Sequence, residues 1–502
     1  MLWKTFSNNE PLKFSIMNTC IKKAFIALLP IIICNQLLAQ SDSIDVFIKN
    51  EMQKRGIPGL QLAIVKEGEI IKTGNYGLAN VQDSIPVSDK SVFPINSLTK
   101  AFTGVAILQL VEEGKMKLSA PVSDYLDHLP ASWKPVTIQQ LLSHTSGIPD
   151  IVDEEESTVI FSWENAWEKV QELPVEFKPG EKFRYNQTNY VILGKIIDKL
   201  SQMPFKDFII KEQLQKTGMN KTIESGFGAT RDIVTNSAGG YRYANRKLVN
   251  MFFAFPPYLQ TAAGMSSTAT ELALWIIALQ NQQILKQKTS LTALWKPALL
   301  NNGKTAGFNN LLNGYAAGWP VIVRAEHPAA ASVGGGRSAM FVYPGDDMAI
   351  VVLTNLSGGS PEAFIDELAG FYIPDMKEAN GFGLSPSLKK LKAGLDKAGY
   401  KNAVELVKQY TKPGTGFTLT ESEVNSFGYK LLNQNKMADA LEIFKLNVHL
   451  FPASANAFDS LGEIYAEMGN NEQAIKNYEQ SLKLNPQNKH AEEQINKLNE
   501  RK

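Results

Sequence analysis

Hydrophobic and polar residues alternate over residues 59–77. Leu60, Leu62 and Ile64 share one face, Lys66, Glu67 and Gly68 mark a turn, and Ile70 and Ile71 follow. Period-two alternation broken by a turn predicts a β-hairpin. A second hairpin is expected far downstream, Ser338–Tyr343 with Met348–Thr354, joined by Pro344, Gly345, Asp346 and Asp347. Between the two, helical periodicity dominates. After Ser97, the positions Ala101, Gly104, Val105, Leu108 and Val111 form an apolar stripe that closes at Gly114, the pattern of a buried helix. Strands at both ends of a long helical region imply an α+β domain whose terminal strands pair in one antiparallel sheet. Its expected limits are 41–375.

Past Asn380 the texture changes. Residues 386–410 are Lys-rich and helical in pattern, and 412–420 read as a loop with Pro413, Gly414 and Gly416, so 376–420 is expected to be a helical linker. Over 421–502 the chain repeats with a period of 34: Gly428 with Gly462, Ala440 with Ala474, Phe444 with Tyr478, Pro452 with Pro486. Small residues at helix crossings, aromatics between helices and a proline after the second helix suit a helix–turn–helix repeat. This segment resembles the tetratricopeptide repeat, best in its second copy. The resemblance implies a docking surface for a protein or peptide, or else a packing appendage.

The N-terminus carries Lys22 and Lys23, an apolar run from Ala24 to Cys34, and small or polar residues up to Gln40. This is the pattern of a secretory signal over 1–40, with Met17 as an alternative start. The run is too short to span a bilayer. Ile33 before Cys34 weighs against lipid attachment there, and the expected compartment is periplasmic or extracellular, with no membrane span in the mature chain. Both cysteines, Cys20 and Cys34, fall in this segment. With 51 basic and 50 acidic side chains, the chain lacks the charge of a nucleic-acid binder. Two cysteines and five histidines speak against a zinc framework, and no metal or organic cofactor is implied.

The chemical signal starts at Ser97-Leu98-Thr99-Lys100. Serine and lysine three apart share a helix face. A serine hydroxyl needs a base to become a nucleophile, and a lysine desolvated in a core can serve as one. Ser387-Leu388-Lys389-Lys390 has the same spacing but lies in a solvated stretch, whereas Ser97 opens the buried helix. A second segment, Thr137 to Pro149, ends in Leu142-Ser143-His144-Thr145-Ser146-Gly147. Nothing adjacent orients His144 as a base, so it reads as a structural hydrogen-bonder.

These segments, with Phe183-Arg184-Tyr185-Asn186-Gln187, Asn189-Tyr190, Ala263-Gly264-Met265-Ser266-Ser267 and Gly318-Trp319, stand in the order that resembles class C β-lactamase-like serine hydrolases, a penicillin-recognising group of lactamases, peptidases and esterases. The resemblance covers 41–375 and implies a helical subdomain opposite the sheet. It implies Ser97 as nucleophile, Lys100 as its activating partner, and Tyr185 in proton transfer, deprotonated or poised by nearby positive charge. It also brings Gln187 and the strand Ser332-Val333-Gly334 to the substrate, with the N–H groups of Gly335 and Ser97 as the oxyanion hole.

Two departures matter. Gln187 replaces the group's asparagine. Ser332 and Val333 replace a Lys or His followed by a hydroxyl residue, so Ser332 can hydrogen-bond Tyr185 but lends no charge. Arg337 either restores a carboxylate-binding charge or is a surface arginine. The expected activity is therefore acyl transfer and hydrolysis of a small ester or amide, including D-amino-acid peptides, with weak or no β-lactamase activity. Two other readings stay open: a catalytically degraded binding module acting through its repeats, and a cell-wall DD-peptidase. Phe252 to Tyr258, and Trp163 and Trp167, are candidate walls of an apolar pocket.

Overall fold

The computed structural model describes residues 43–500, apart from 154–157, 160–164, 229–232, 253–254, 378–379, 413 and 435. The expected signal segment 1–40, Trp163 and Phe253 thus lie outside the described residues. The chain divides into two compact units, one ending at Phe371 and one starting at Tyr372.

In the first unit a helix over 43–55 (α1) leads into β1 (Gly59–Lys66) and β2 (Glu69–Asn80). The turn between these strands has positive φ at Glu67 and Gly68, the geometry that matches strand twist in a two-residue hairpin. The strand β3 (Ile85–Pro86) follows, and the sheet resumes with β4 (Gly314–Tyr315), β5 (Pro320–Ile322), β6 (Ala329–Gly334), β7 (Ser338–Tyr343) and β8 (Met348–Thr354). The eight strands are ordered β4-β5-β6-β7-β8-β1-β2-β3, all antiparallel. The expected pairing of the terminal strands is the β1–β8 ladder, Leu60 opposite Thr354 through Lys66 opposite Met348.

The strands β1 and β8 are buried on both faces rather than one. Helices cover both sides. Phe47 of α1 meets Phe364 and Phe371 edge-on at 6.3 and 5.7 Å. On the other face lies a helix over Ala269–Gln280, packed on β1 and β8. In front of it runs α2 (Thr99–Glu112), buried from Thr99 to Leu110. A helix buried on every side needs no amphipathic stripe. This central helix carries Lys100, and Ser97 stands just before it.

The second unit holds seven α-helices among its described residues. They are Pro386–Ala398, Ala403–Tyr410, Glu421–Asn433, Met437–Leu450, Ala455–Glu467, Asn471–Leu484 and Lys489–Glu500. The first two share one apolar core with the helices that follow. The period of 34 has a direct cause. A Cβ on Gly428 would lie 2.6 Å from the Phe444 ring, and one on Gly462 would lie 2.8 Å from the Tyr478 ring. Glycine at each position lets the paired helix bring its aromatic ring against the backbone.

No helix among the described residues is long and apolar enough to cross a membrane.

Candidate active site

The turn of Ser97, the expected nucleophile, begins where Phe93–Pro94 pairs with Ser266–Ser267, and the Ile95 N–H donates to the Met265 carbonyl at 3.0 Å. Asn96 then takes a left-handed conformation, φ +48°. Asparagine is among the few side chains that tolerate it. The Thr99 hydroxyl closes the turn on the Asn96 carbonyl at 2.7 Å. Ser97 is left half-buried, two residues before the start of α2.

Lys100 is fully buried. Its Nζ lies 3.4 Å from Ser97 Oγ, 2.8 Å from Gln187 Oε1 and 2.9 Å from the Ala262 carbonyl. It also sits 4.7 Å from the centre of the Tyr185 ring. Three acceptors match the three donors of an ammonium group. Burial nevertheless lowers Lys100 to about 7, the Asp150 carboxylate pulling it partly back. Near neutral pH a large share of Lys100 is a free amine at hydrogen-bond reach of the serine.

The loop from His144 to Asp150 and the segment from Arg184 to Asn189 are zipped together. The Arg184 N–H donates to the His144 carbonyl at 2.9 Å. The Asn186 N–H donates to His144 Nδ1 at 3.1 Å, and the Asn186 side chain donates to the Ile148 carbonyl. The Thr188 hydroxyl donates to the Pro149 carbonyl, and Ser146 to Asn189. Finally the Gln187 N–H donates to Asp150 Oδ1 at 3.0 Å. His144 is held well below its ordinary range by burial and by nearby Lys100. It is therefore neutral, accepts at Nδ1 and carries its proton on Nε2. Its ring packs 4.5 Å from that of Tyr185. As read from the sequence, it is a structural residue: it holds the loop that places Tyr185 and Gln187.

Tyr185 does not fit the expected deprotonated state. Burial pushes its phenol well above the ordinary range, and the side chains of Ser97 and Gln187 at its hydroxyl only partly offset this. A protonated phenol can donate a hydrogen bond, and Lys100 lies beside the ring.

The strand β6 ends beside the Ser97 turn. Gly335 and Gly336 both have positive φ, and the Arg337 N–H donates to the Gly334 carbonyl at 3.0 Å. This is a tight turn that glycine makes without strain. A Cβ on Gly334 would lie 2.0 Å from the Ile95 carbonyl, and one on Gly335 would lie 2.1 Å from Asn96 Nδ2. The glycines thus bring the strand directly against the Ser97 turn.

Two sequence expectations fail here. Ser332 Oγ is buried without a hydrogen-bond partner among the described residues, so it does not bond Tyr185. Strand alternation gives Ser332 its orientation, and in the register opposite Met340 it faces the packed interior. Arg337 is not a surface arginine but fully buried, its Nη2 3.5 Å from Met251 Sδ. Burial lowers its guanidinium to about 10.

Of the expected pocket aromatics, Phe252 is 78% exposed and forms no wall. Trp167 is partly buried and packs on the core residue Trp133 at 6.1 Å. The rings that do surround Tyr185 are Phe308 at 5.0 Å and Tyr315 at 6.4 Å, which sequence reasoning missed. Asp150 was missed as well. Its one local signal was an acid placed directly after the His144–Pro149 turn.

Comparison with known proteins agrees with this architecture. The beta-lactamase family profile matches residues 44–372, and the tetratricopeptide repeat profile matches 460–488. Protein flp of Staphylococcus aureus (strain NCTC 8325 / PS 47) is 30% identical over 335 residues, 65% of this chain and 65% of that protein, so the match spans just under two thirds of the relative's length. The octameric penicillin-binding protein homologue from Pyrococcus abyssi superposes with a TM-score of 0.57 at 25% identity, covering 70% of this chain and 81% of that one. The D-amino acid amidase from Ochrobactrum anthropi SV3 superposes with a TM-score of 0.54 at 22% identity, covering 65% and 98%, and shows the fold alone. A profile match over most of the chain, on a sheet and central helix laid out as above, means that the chain belongs to the beta-lactamase family, with a tetratricopeptide repeat near its C-terminal end.

Proposed function

We propose that this chain is a serine hydrolase that forms an acyl-enzyme at Ser97 from a small ester or amide and releases it with water. The observation that carries the reading is the buried Lys100 amine beside Ser97 Oγ, lowered to about 7 and held by Gln187 and the Ala262 carbonyl. Lys100 takes the Ser97 proton as Oγ attacks the substrate carbonyl. Tyr185, still protonated, relays a proton to the leaving oxygen or nitrogen as that bond breaks. Water then adds to the acyl-enzyme and the same groups return the proton to Ser97. The N–H groups of Ser97 and Gly335 are the oxyanion donors in this reading, a role worth a few kcal/mol in the transition state. Residues 22–39 support an exported enzyme.

The missing cation on β6 favours esters and neutral or amine-bearing amides over β-lactams and D-Ala-D-Ala peptides, whose carboxylates need a positive partner. Labelling with a fluorophosphonate probe tests the serine reading. Wild-type protein should label and Ser97→Ala should not. A folded wild type that does not label would favour a binding module instead.

A further inference from the structure

We propose that Asp150 is the specificity determinant of this site and that the substrate carries a protonated amine that pairs with its carboxylate. This rests on the Ser97 hydrolase reading and names the substrate class for it. Asp150 is only 7% exposed, yet it forms no ion pair among the described residues. Its Oδ1 accepts the N–H groups of Gln187 at 3.0 Å and Val152 at 3.3 Å. The nearby cation Lys100 directs its hydrogen bonds to Ser97, Gln187 and Ala262 instead. A buried carboxylate without a cation is costly, and such groups cluster at functional sites.

The position of the carboxylate is set by the chemistry around it. Gln187, which Asp150 holds by its backbone, contacts Lys100 through its side chain. Asp150 is also close enough to act electrostatically on both Lys100 and Tyr185. Across the site, β6 carries Ser332, which is buried, and Val333, so neither of these positions offers a cation to a substrate carboxylate. Arg337 is folded in against Met251. Among the described residues, the charged groups placed at the site are thus the amine-poised Lys100 and the Asp150 carboxylate, which repels substrate carboxylates and attracts ammonium groups. An ammonium donating to a buried carboxylate is a charge-assisted hydrogen bond, stronger than a neutral one.

A structural role for Asp150 is the competing account, since Oδ1 receives the N–H of Gln187, the residue just before the helix Thr188–Ser201. Asp150→Asn separates the two, because an amide oxygen keeps both backbone hydrogen bonds and only the charge is lost.

The experiment uses the full chain and p-nitroanilides of glycine, β-alanine and 4-aminobutyrate, each with its N-acetyl counterpart, and p-nitrophenyl acetate as a neutral reference. In wild type, kcat/KM for one free-amine length should exceed that of its N-acetyl partner about tenfold or more. The ratio should fall to about one in Asp150→Asn. A wild-type ratio near one with Ser97-dependent turnover of p-nitrophenyl acetate would overturn the amine assignment and leave the hydrolase reading standing. A ratio kept in Asp150→Asn would overturn the role of Asp150. Absence of any Ser97-dependent turnover would overturn the hydrolase reading and this inference with it. The wild-type ratio needs no variant, so a poorly folding Asp150→Asn protein does not blunt the test.

Discussion

Lys100→Met should remove a pH dependence from the stability of the protein. The folded chain holds the lysine proton only to about pH 7, whereas an ordinary lysine holds it to 10.5. Between these limits the unfolded state binds more protons, so the contribution of Lys100 to wild-type stability rises with pH and its penalty is greatest below pH 7. At about 1.4 kcal/mol per tenfold, the full penalty is roughly 5 kcal/mol, and the recovery between pH 7 and pH 9 is roughly 2 kcal/mol. Methionine keeps the bulk of the side chain and abolishes the titration. It also strips a donor from Gln187 Oε1 and from the Ala262 carbonyl. Each lost donor costs about 1–3 kcal/mol, but this does not vary across the window, so the pH slope isolates the lysine. Asp150, raised to about 6, titrates below the window. Urea denaturation of both proteins at pH 7, 8 and 9 reads the effect as the difference in slope. An identical slope in the two proteins would refute the claim that burial depresses Lys100. In the wild type, kcat/KM should climb through an acid limb near pH 7 as the lysine becomes a base.

Two further outcomes follow from β6. Gly334→Ala places a methyl group 2.0 Å from the Ile95 carbonyl, which must push β6 off the Ser97 turn. Fluorophosphonate labelling should slow by about tenfold or more, with about 1–3 kcal/mol of stability lost. Gly345→Ala, where a Cβ meets nothing within 4 Å, should change neither. A chromogenic cephalosporin should be turned over poorly or not at all, and turnover at the efficiency of a dedicated lactamase would refute the argument from the missing cation.

The parts of this architecture legible in the sequence are those that repeat or alternate locally. The β1–β2 hairpin shows as alternation around Glu67 and Gly68, and the repeats show because Gly428 and Gly462 each face an aromatic in the same relation. Ser97 and Lys100 are neighbours on one helical turn, so spacing alone brings them together. Asp150 had no such neighbour. Its partner, the Gln187 N–H, is 37 residues away, and nothing between them in the chain announces the contact. The same holds for His144, whose partner Asn186 is 42 residues away. Arg337 failed for another reason. A sequence position after a glycine turn does not reveal whether a long side chain swings outward or inward, and here it swings in toward Met251. What the loop from His144 to Asp150 does is consequently invisible until its hydrogen bonds are drawn. One set of bonds, from Arg184 to Asn189, fixes the positions of Tyr185, Gln187 and Asp150 together. In the proposed reading, the segment that sets substrate charge preference is thus fastened to the segment that carries the proton relay. A substitution within 144–150 that breaks the zipper should alter turnover and selectivity in the same protein.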